Sequence, residues 1–150
     1  MKVRIITVGK ISSWTNEGLK HYEKLLRRFA RIEHIKLPTG GDLNKENFEV
    51  VKKKEGKKIL QKIKGTPICF DINGKALSTS EFANFVDEVK QRDISIIIGG
   101  PAGLCGEVLK KCKYVLSLSN FTLSHEIALL VVLEQLFRAF KIVNKEKYDY

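Results

Sequence analysis

Short apolar runs alternate with helix-like segments along this chain, and that alternation limits the possible folds more than any other feature. Apolar or alternating runs predict strands at residues 3–8, 32–37, 68–72, 94–98 and 114–118. Apolar residues spaced three or four apart predict helices at 14–29, 45–64, 106–112 and 124–143, and one more that begins at Ser78 or Ser80. A turn is predicted at Asn73 and Gly74. This order predicts an α/β fold, with a mostly parallel sheet and helices on both faces.

The length of 150 residues suits one domain, predicted over 1–150, because no repeat or low-complexity linker divides it. The longest clean apolar run, residues 127–133, is far shorter than the ~18 residues that span a membrane. The N-terminus also lacks the long apolar region of a signal peptide. We therefore expect a cytoplasmic protein with no membrane partner.

The cysteines and histidines do not indicate a metal site. Cys69, Cys105 and Cys112 are odd in number and lack a CxxC spacing, which argues against a disulfide framework and against zinc. Cys69 lies in an apolar run, as a core residue would, and the three histidines are scattered. We expect no metal.

The excess positive charge is confined to the first half of the sequence. Residues 1–75 contain 18 Lys and Arg against 8 Asp and Glu, whereas residues 76–150 contain 9 of each kind. A one-sided basic surface favours a polyanion such as RNA, although a solvated lysine-rich helix is an equal alternative. Four lysines of the predicted helix 45–64 are the candidates for phosphate contacts: Lys52, Lys53, Lys57 and Lys58.

Two loops follow predicted strands, at the edge where open parallel sheets bind ligands. The loop 99–103 reads Gly-Gly-Pro-Ala-Gly, and its glycines would let a ligand approach the backbone closely. It matches neither GxGxxG nor the P-loop motif, so by itself it is more often a tight structural turn. The loop 118–123 alternates polar and apolar residues, which suits a planar base or a simple connector.

Two residues of the last predicted helix are candidates for chemistry. His125 lies at the helix start, where the helix dipole disfavours the imidazolium form, so it is a neutral proton acceptor or a capping residue. Arg138 lies in an otherwise apolar stretch and requires a partner. That partner is either Glu134, one turn earlier, or a phosphate or carboxylate of a substrate.

The same helix is apolar almost all round. Its large apolar side chains are Leu129, Leu130, Val131, Val132, Leu133, Leu136, Phe137 and Phe140. Because these are too many for the core of one monomer, we expect a two-fold homodimer that buries part of the helix.

Together these motifs resemble the RlmH family of the SPOUT methyltransferase superfamily, over nearly the whole chain. The resemblance is strongest at residues 116–125, which read LSLSNFTLSH, and at 134–142, which read EQLFRAFKI. It includes the opening strand, the sequence DINGK at 71–75 and GGPAGL at 99–104.

The resemblance implies a fold, a cofactor and a substrate. The C-terminal part of the sheet would form a deep trefoil knot, and two copies would form a homodimer. S-adenosylmethionine would bind in the knot loops and methylate N3 of a pseudouridine in 23S (large-subunit) rRNA, on the ribosome. Arg138 and His125 would be the catalytic residues, with Arg138 stabilising negative charge on the base. The implied cofactor-binding residues are Phe70, Gly99, Gly100, Leu118, Ser119, Asn120, Phe121, Thr122 and Leu123.

The chain departs from the family pattern at three places. Ser124 precedes His125 where relatives have proline, Leu129 stands where they have arginine, and residues 148–150 read Tyr-Asp-Tyr instead of Tyr-His followed by a basic residue. These changes motivate an alternative function, that of a knotted dimeric RNA-binding protein that assists ribosome assembly with little or no methyl transfer.

Overall fold

The alternation of strands and helices is present in the structure, a computed structural model that describes residues 1–148. The strands are β1 (Lys2–Val8), β2 (Arg31–Leu37), β3 (Thr66–Ala76), β4 (Ile94–Ile98) and β5 (Tyr114–Ser117). The helices are α1 (Ser13–Leu26), α2 (Phe48–Lys62), α3 (Thr79–Val89), α4 (Gly106–Lys111) and α5 (His125–Val143).

These strands form one parallel sheet in the order β2-β1-β4-β3-β5. Because side chains alternate along a strand, Ile5 of β1 packs with α1, α3 and α5, whereas Ile6 packs with α2 and α4 on the other face. The central strand β4 is buried throughout. The predicted α/β fold with helices on both faces is confirmed, and the trefoil knot stays a prediction.

Side-chain caps explain where several helices begin. Ser78 Oγ accepts a hydrogen bond from the Glu81 amide (3.1 Å), so Ser78 and not Ser80 caps α3. Asn47 accepts from the Glu49 amide (2.7 Å), which starts α2 three residues later than the hydrophobic pattern predicts. Ser124 caps α5 in the same way, through the Ile127 amide.

The predicted turn at Asn73 and Gly74 is wrong. Both residues lie within β3, whose register against β5 shifts so that Phe70 and Lys75 both pair with Leu116. The four residues between them interrupt the pairing, and β3 continues parallel to β5 after the interruption. Gly74 is needed there because a Cβ would lie 2.5 Å from the carbonyl carbon of Leu116.

The expectation of no disulfide framework does not hold, because the structure contains a disulfide. Cys69 on β3 and Cys112 at the end of α4 form one, with their Cα atoms 5.9 Å apart, and Cys105 is free and buried. Spacing along the chain does not reveal this pair, because the two cysteines are 43 residues apart and meet only through the pairing of β3 with β5.

Candidate active site

A cavity of about 570 Å³ lies at the carboxyl ends of β4 and β5, beside residues 70–72 in the middle of β3. Its walls are the middle of β3, the loop after β4, the loop after β5 and the first turn of α5. Small-molecule sites typically measure roughly 300–1,000 Å³, and in open parallel sheets they occur at this edge. Position and size therefore indicate a ligand site.

The structure brings together eight of the nine predicted cofactor-binding residues. Asn120, the ninth, is exposed and does not line the cavity. The three chain segments meet because β3 lies between β4 and β5 in the sheet. The eight that line the cavity are Phe70, Gly99, Gly100, Leu118, Ser119, Phe121, Thr122 and Leu123.

The glycine loop 99–103 is a tight turn as well as a wall of the cavity. A Cβ on Gly99 would lie 3.0 Å from Leu104 Cγ, and one on Gly100 would lie 3.2 Å from Val8 Cγ1. The Gly103 amide donates to the Gly100 carbonyl (2.9 Å), and Gly103 has a φ of 83°. The turn therefore requires its glycines. Because glycine has no side chain, the backbone of the loop itself faces the cavity.

Two serines brace the loop after β5. Ser117 Oγ donates to the Ser119 carbonyl (3.1 Å), and Ser119 Oγ accepts from the Phe121 amide (2.8 Å). These local bonds fix the backbone but leave the Phe121 side chain 82% exposed. Phe121 therefore stands at the rim of the cavity and is not an enclosed wall.

His125 lines the cavity beside the end of β1. Its Nε2 lies 2.5 Å from the carbonyl oxygen of Lys10, and since a carbonyl only accepts, Nε2 carries the hydrogen. A neutral His125 therefore has its lone pair on Nδ1. Gly9 allows this contact, because its φ is 112° and a Cβ would lie 2.9 Å from His125 Cε1.

Glu126, which the sequence did not single out, ties α5 to α1 beside His125. Its carboxylate accepts from the Ser12 amide, from Ser12 Oγ (3.1 Å) and from Thr15 Oγ1 (3.0 Å). The bond from the Ser12 amide is the main reason that the pKa of Glu126 is lowered. No local pattern signals this contact, because Ser12 and Glu126 are 114 residues apart.

Comparison with known proteins identifies the family. Residues 1–149 match the family model described as "Predicted SPOUT methyltransferase". The chain belongs to the SPOUT methyltransferase family.

Full-length relatives agree with this membership. The chain is 42% identical to "Ribosomal RNA large subunit methyltransferase H" of Thermotoga sp. (strain RQ2), over 100% of both chains. It is 38% identical to the protein of that name in Clostridioides difficile (strain 630), over 99% of both. A "probable methylase family protein" of Haemophilus influenzae superposes with a TM-score of 0.56 at 18% identity, covering 99% of this chain and 70% of the other. That last likeness shows the SPOUT fold alone.

Arg138 lies away from the cavity of this SPOUT chain. On α5 it follows His125 by 13 residues, roughly 20 Å along the helix axis, and it does not line the cavity. Its Nε and Nη2 donate to Glu134 Oε1 (2.9 and 2.7 Å), and its guanidinium lies 4.8 Å from the centre of the Tyr148 ring. Glu134 is therefore a partner of Arg138. The departures from the family pattern at Asp149 and Tyr150 lie outside the described residues.

Most of the apolar surface of α5 is covered within one chain, because α1 and α3 both pack against this helix. Six of the eight side chains therefore need no second subunit to be buried, contrary to the prediction. An outward stripe remains, formed by Ile127, which is 42% exposed, and by the half-buried Leu130 and Val131. The six buried residues are Leu129, Val132, Leu133, Leu136, Phe137 and Phe140.

The four candidate RNA-binding lysines lie on α2, on the opposite face of the sheet from α5. Lys53, Lys57 and Lys58 are exposed. Lys52 is partly buried and pairs with Glu49 (3.2 Å), and its Cε would lie 3.9 Å from a Cβ on Gly103. Lys52 thus stands where the basic helix meets the cavity.

Across residues 1–148, no group of three or more His, Cys, Asp or Glu side chains is arranged to hold a metal ion. None of the helices in this part of the chain is long and apolar enough to cross a membrane.

Proposed function

We propose that this chain transfers the methyl group of S-adenosylmethionine to N3 of a pseudouridine in 23S rRNA, acting on cytoplasmic ribosomes as a homodimer. Membership of the SPOUT family and full-length similarity to curated large-subunit rRNA methyltransferases support this activity. The observation that carries the proposal is that one cavity gathers eight of the residues that the family resemblance assigns to the cofactor.

The cavity fits S-adenosylmethionine in size and chemistry. Ile98, Leu118 and Leu123 provide apolar walls for a flat adenine, and the two loops bring backbone donors and acceptors close to its edge. When bound, the cofactor supplies an electrophilic methyl group, whose bond to sulfur breaks as the bond to N3 forms.

The chain itself must orient the base and take up the proton that N3 carries at neutral pH. His125 is the proposed acceptor, through Nδ1, because Nε2 is bonded to the Lys10 carbonyl. Arg138 is proposed to stabilise negative charge on the carbonyl oxygens beside N3. Since Arg138 is at the far end of α5 from His125, we propose that it reaches the base from the second copy in the homodimer.

Methyl transfer tests the activity directly. The purified chain is incubated with isotopically labelled S-adenosylmethionine and with ribosomes, isolated subunits or free rRNA that lack the modification, and the nucleosides are analysed by mass spectrometry. Labelled N3-methylpseudouridine is the expected product, and comparison of the substrates identifies the one used. Cofactor binding in a calorimeter without transfer to any of them would instead support the ribosome-assembly alternative.

Mixing two inactive variants tests the catalytic assignment. His125→Ala and Arg138→Ala should each reduce the rate by roughly 100-fold or more, as loss of a proton acceptor or of a charge stabiliser does. If the two residues of one site come from different subunits, a mixture that exchanges subunits contains heterodimers with one intact site. Activity should then return on mixing. Normal rates for both single variants would contradict the roles of both residues.

The homodimer is tested at the outward stripe of α5. Ile127→Asp places a charge on this stripe and should shift the sedimentation coefficient from that of a dimer to that of a monomer. Phe48→Asp is the matched control, because Phe48 is similarly exposed but lies on α2. A dimer that survives Ile127→Asp would place the interface elsewhere.

A further inference from the structure

A second cavity, of about 280 Å³, adjoins the first. Phe70, Ser117 and Leu118 line both cavities, so the two spaces share part of their walls. The remaining walls come from the start of α3 and from the middle of α5, including Thr79, Phe82 and Gln135. The space is smaller than the cofactor cavity, and its lining combines apolar side chains with the polar groups of Thr79 and Gln135, as a site for a single nucleobase requires.

A chain of hydrogen bonds fixes the side-chain amide of Gln135, which lines this second cavity. Thr79 Oγ1 donates to Gln135 Oε1 (3.0 Å), and Gln135 Nε2 donates to Glu134 Oε2 (2.8 Å). Glu134 is held in turn by Arg138. The amide of Gln135 is thereby oriented, and it retains one N–H donor and one lone pair on Oε1 for a ligand.

We propose that the second cavity receives the N1–H and O2 edge of the pyrimidine to be methylated, that Gln135 reads this edge, and that N3 faces the first cavity, which His125 lines. This inference rests on the proposed function. In pseudouridine the ribose is attached through carbon, so N1 carries a hydrogen, whereas N1 of uridine is bonded to the ribose. A glutamine amide pairs with an adjacent donor and acceptor on a base in one bidentate contact. Such a contact uses N1–H and O2 and leaves N3 unbonded for methylation.

The contact makes Gln135 a specificity-determining residue for pseudouridine over uridine. Uridine at the same place would offer no donor to Oε1 of Gln135. The loss of one neutral hydrogen bond corresponds to a preference of roughly 3- to 10-fold.

The test uses ribosomes whose target nucleotide is either pseudouridine or uridine. For each substrate we would measure the dissociation constant without cofactor and kcat/KM at saturating S-adenosylmethionine. The wild-type chain should prefer pseudouridine by roughly 3- to 10-fold in both measurements. Gln135→Met, similar in size but without the amide, should abolish the preference. It should leave cofactor affinity unchanged, because Gln135 does not line the first cavity.

Two further variants complete the design. Gln61→Met changes an exposed glutamine on α2 and should keep the full preference. Thr79→Val removes the hydroxyl that orients Gln135 and should reduce the preference, which provides a second test if Gln135→Met folds poorly or loses the dimer.

The possible outcomes separate the two proposals. A full preference retained by Gln135→Met or by Thr79→Val, or no preference in the wild type, would overturn the role of Gln135 and leave the methyltransferase proposal standing. Loss of cofactor affinity in Gln135→Met would likewise overturn it, since the residue would then serve the first cavity. Failure of the wild type to methylate either substrate would instead refute the proposed function.

Discussion

His34 on β2 is a histidine that the fold keeps uncharged. Its Nε2 lies 2.8 Å from Thr7 Oγ1, and burial lowers its pKa from 6.5 to about 4, with Lys36 adding to the effect. The unfolded chain takes up a proton on this residue below about pH 6.5, whereas the folded chain does so only near pH 4. His34 therefore makes the folded state less stable as the pH falls through this window, with no further loss below it.

Replacing His34 should flatten the acid side of the stability profile. His34→Gln keeps a polar group for Thr7 but does not titrate, so its urea midpoint should fall less than that of the wild type between about pH 6.5 and pH 4. His21→Gln, at an exposed histidine, is the matched control. Equally steep profiles for wild type and His34→Gln would show that His34 is not the cause.

Gly9 is required both by its backbone angle and by its contact with His125. Gly9→Ala forces a side chain onto a φ of 112° and against the imidazole, and it should destabilise the chain by roughly 1–3 kcal/mol in urea unfolding. In the double variant with His125→Ala, the part due to the clash should disappear and the part due to the backbone should remain. Gly106→Ala is the control, since a Cβ there meets nothing within 4 Å.

Among the elements, those with local signals are predictable from sequence. The run 94–98 is uniformly apolar because β4 is covered on both faces, and it was predicted with its exact bounds. Bounds that depend on tertiary pairing were not predictable. The Asn73-Gly74 pair is typical of a turn that ends a strand, but β3 resumes its pairing with β5 at Lys75, so the pair lies within the bounds of β3. The disulfide is of the same kind, since strand order alone brings its cysteines together.

The candidate site likewise contains features that local sequence patterns indicate and features that depend on the tertiary structure. Local patterns left the loops 99–103 and 118–123 open to structural explanations, and only the family resemblance combined them into one cofactor site. Gln135 lies in the resembling segment 134–142, but no local pattern singled it out, because it lines a cavity only when α3 and β5 are placed beside it. The dimer argument erred because sequence does not show that α1 and α3 flank α5.

The disulfide between β3 and the end of α4 should contribute strongly to stability. It closes a loop of 43 residues, for which the chain-entropy model gives roughly 4 kcal/mol. A reducing agent should therefore lower the urea midpoint of the wild type. Cys112→Ala should have a low midpoint that the reducing agent does not change further. A wild-type midpoint that is insensitive to the reducing agent would show that the bond contributes little.

For the molecule as a whole, the basic helix and the proposed dimer stripe lie on opposite faces of the sheet. A dimer formed through α5 would leave α2 of each copy exposed to RNA. Charge reversal of Lys53, Lys57 and Lys58 should weaken ribosome binding and reduce its dependence on salt concentration, because fewer phosphate contacts are made. Cofactor affinity, measured by calorimetry, should not change.

A matched triple variant makes this result specific. Lys20, Lys24 and Lys90 lie outside α2, and reversing them changes the net charge by the same amount. Ribosome binding should be weakened less by this control than by the α2 variant. Equal weakening would mean that total charge, and not the α2 surface, governs the attraction to RNA.

The strand order has a consequence for how the protein is made. During translation β1 can pair with β2 early, but its other edge pairs with β4, where Val3 lies opposite Ile94. The nascent chain therefore carries an apolar, half-paired strand until about two-thirds of it has been synthesised. Until then we expect the nascent chain to be a client of ribosome-bound chaperones, which shield the incomplete sheet from aggregation. A protein that is proposed to modify ribosomes therefore depends on ribosome-bound chaperones for its own folding.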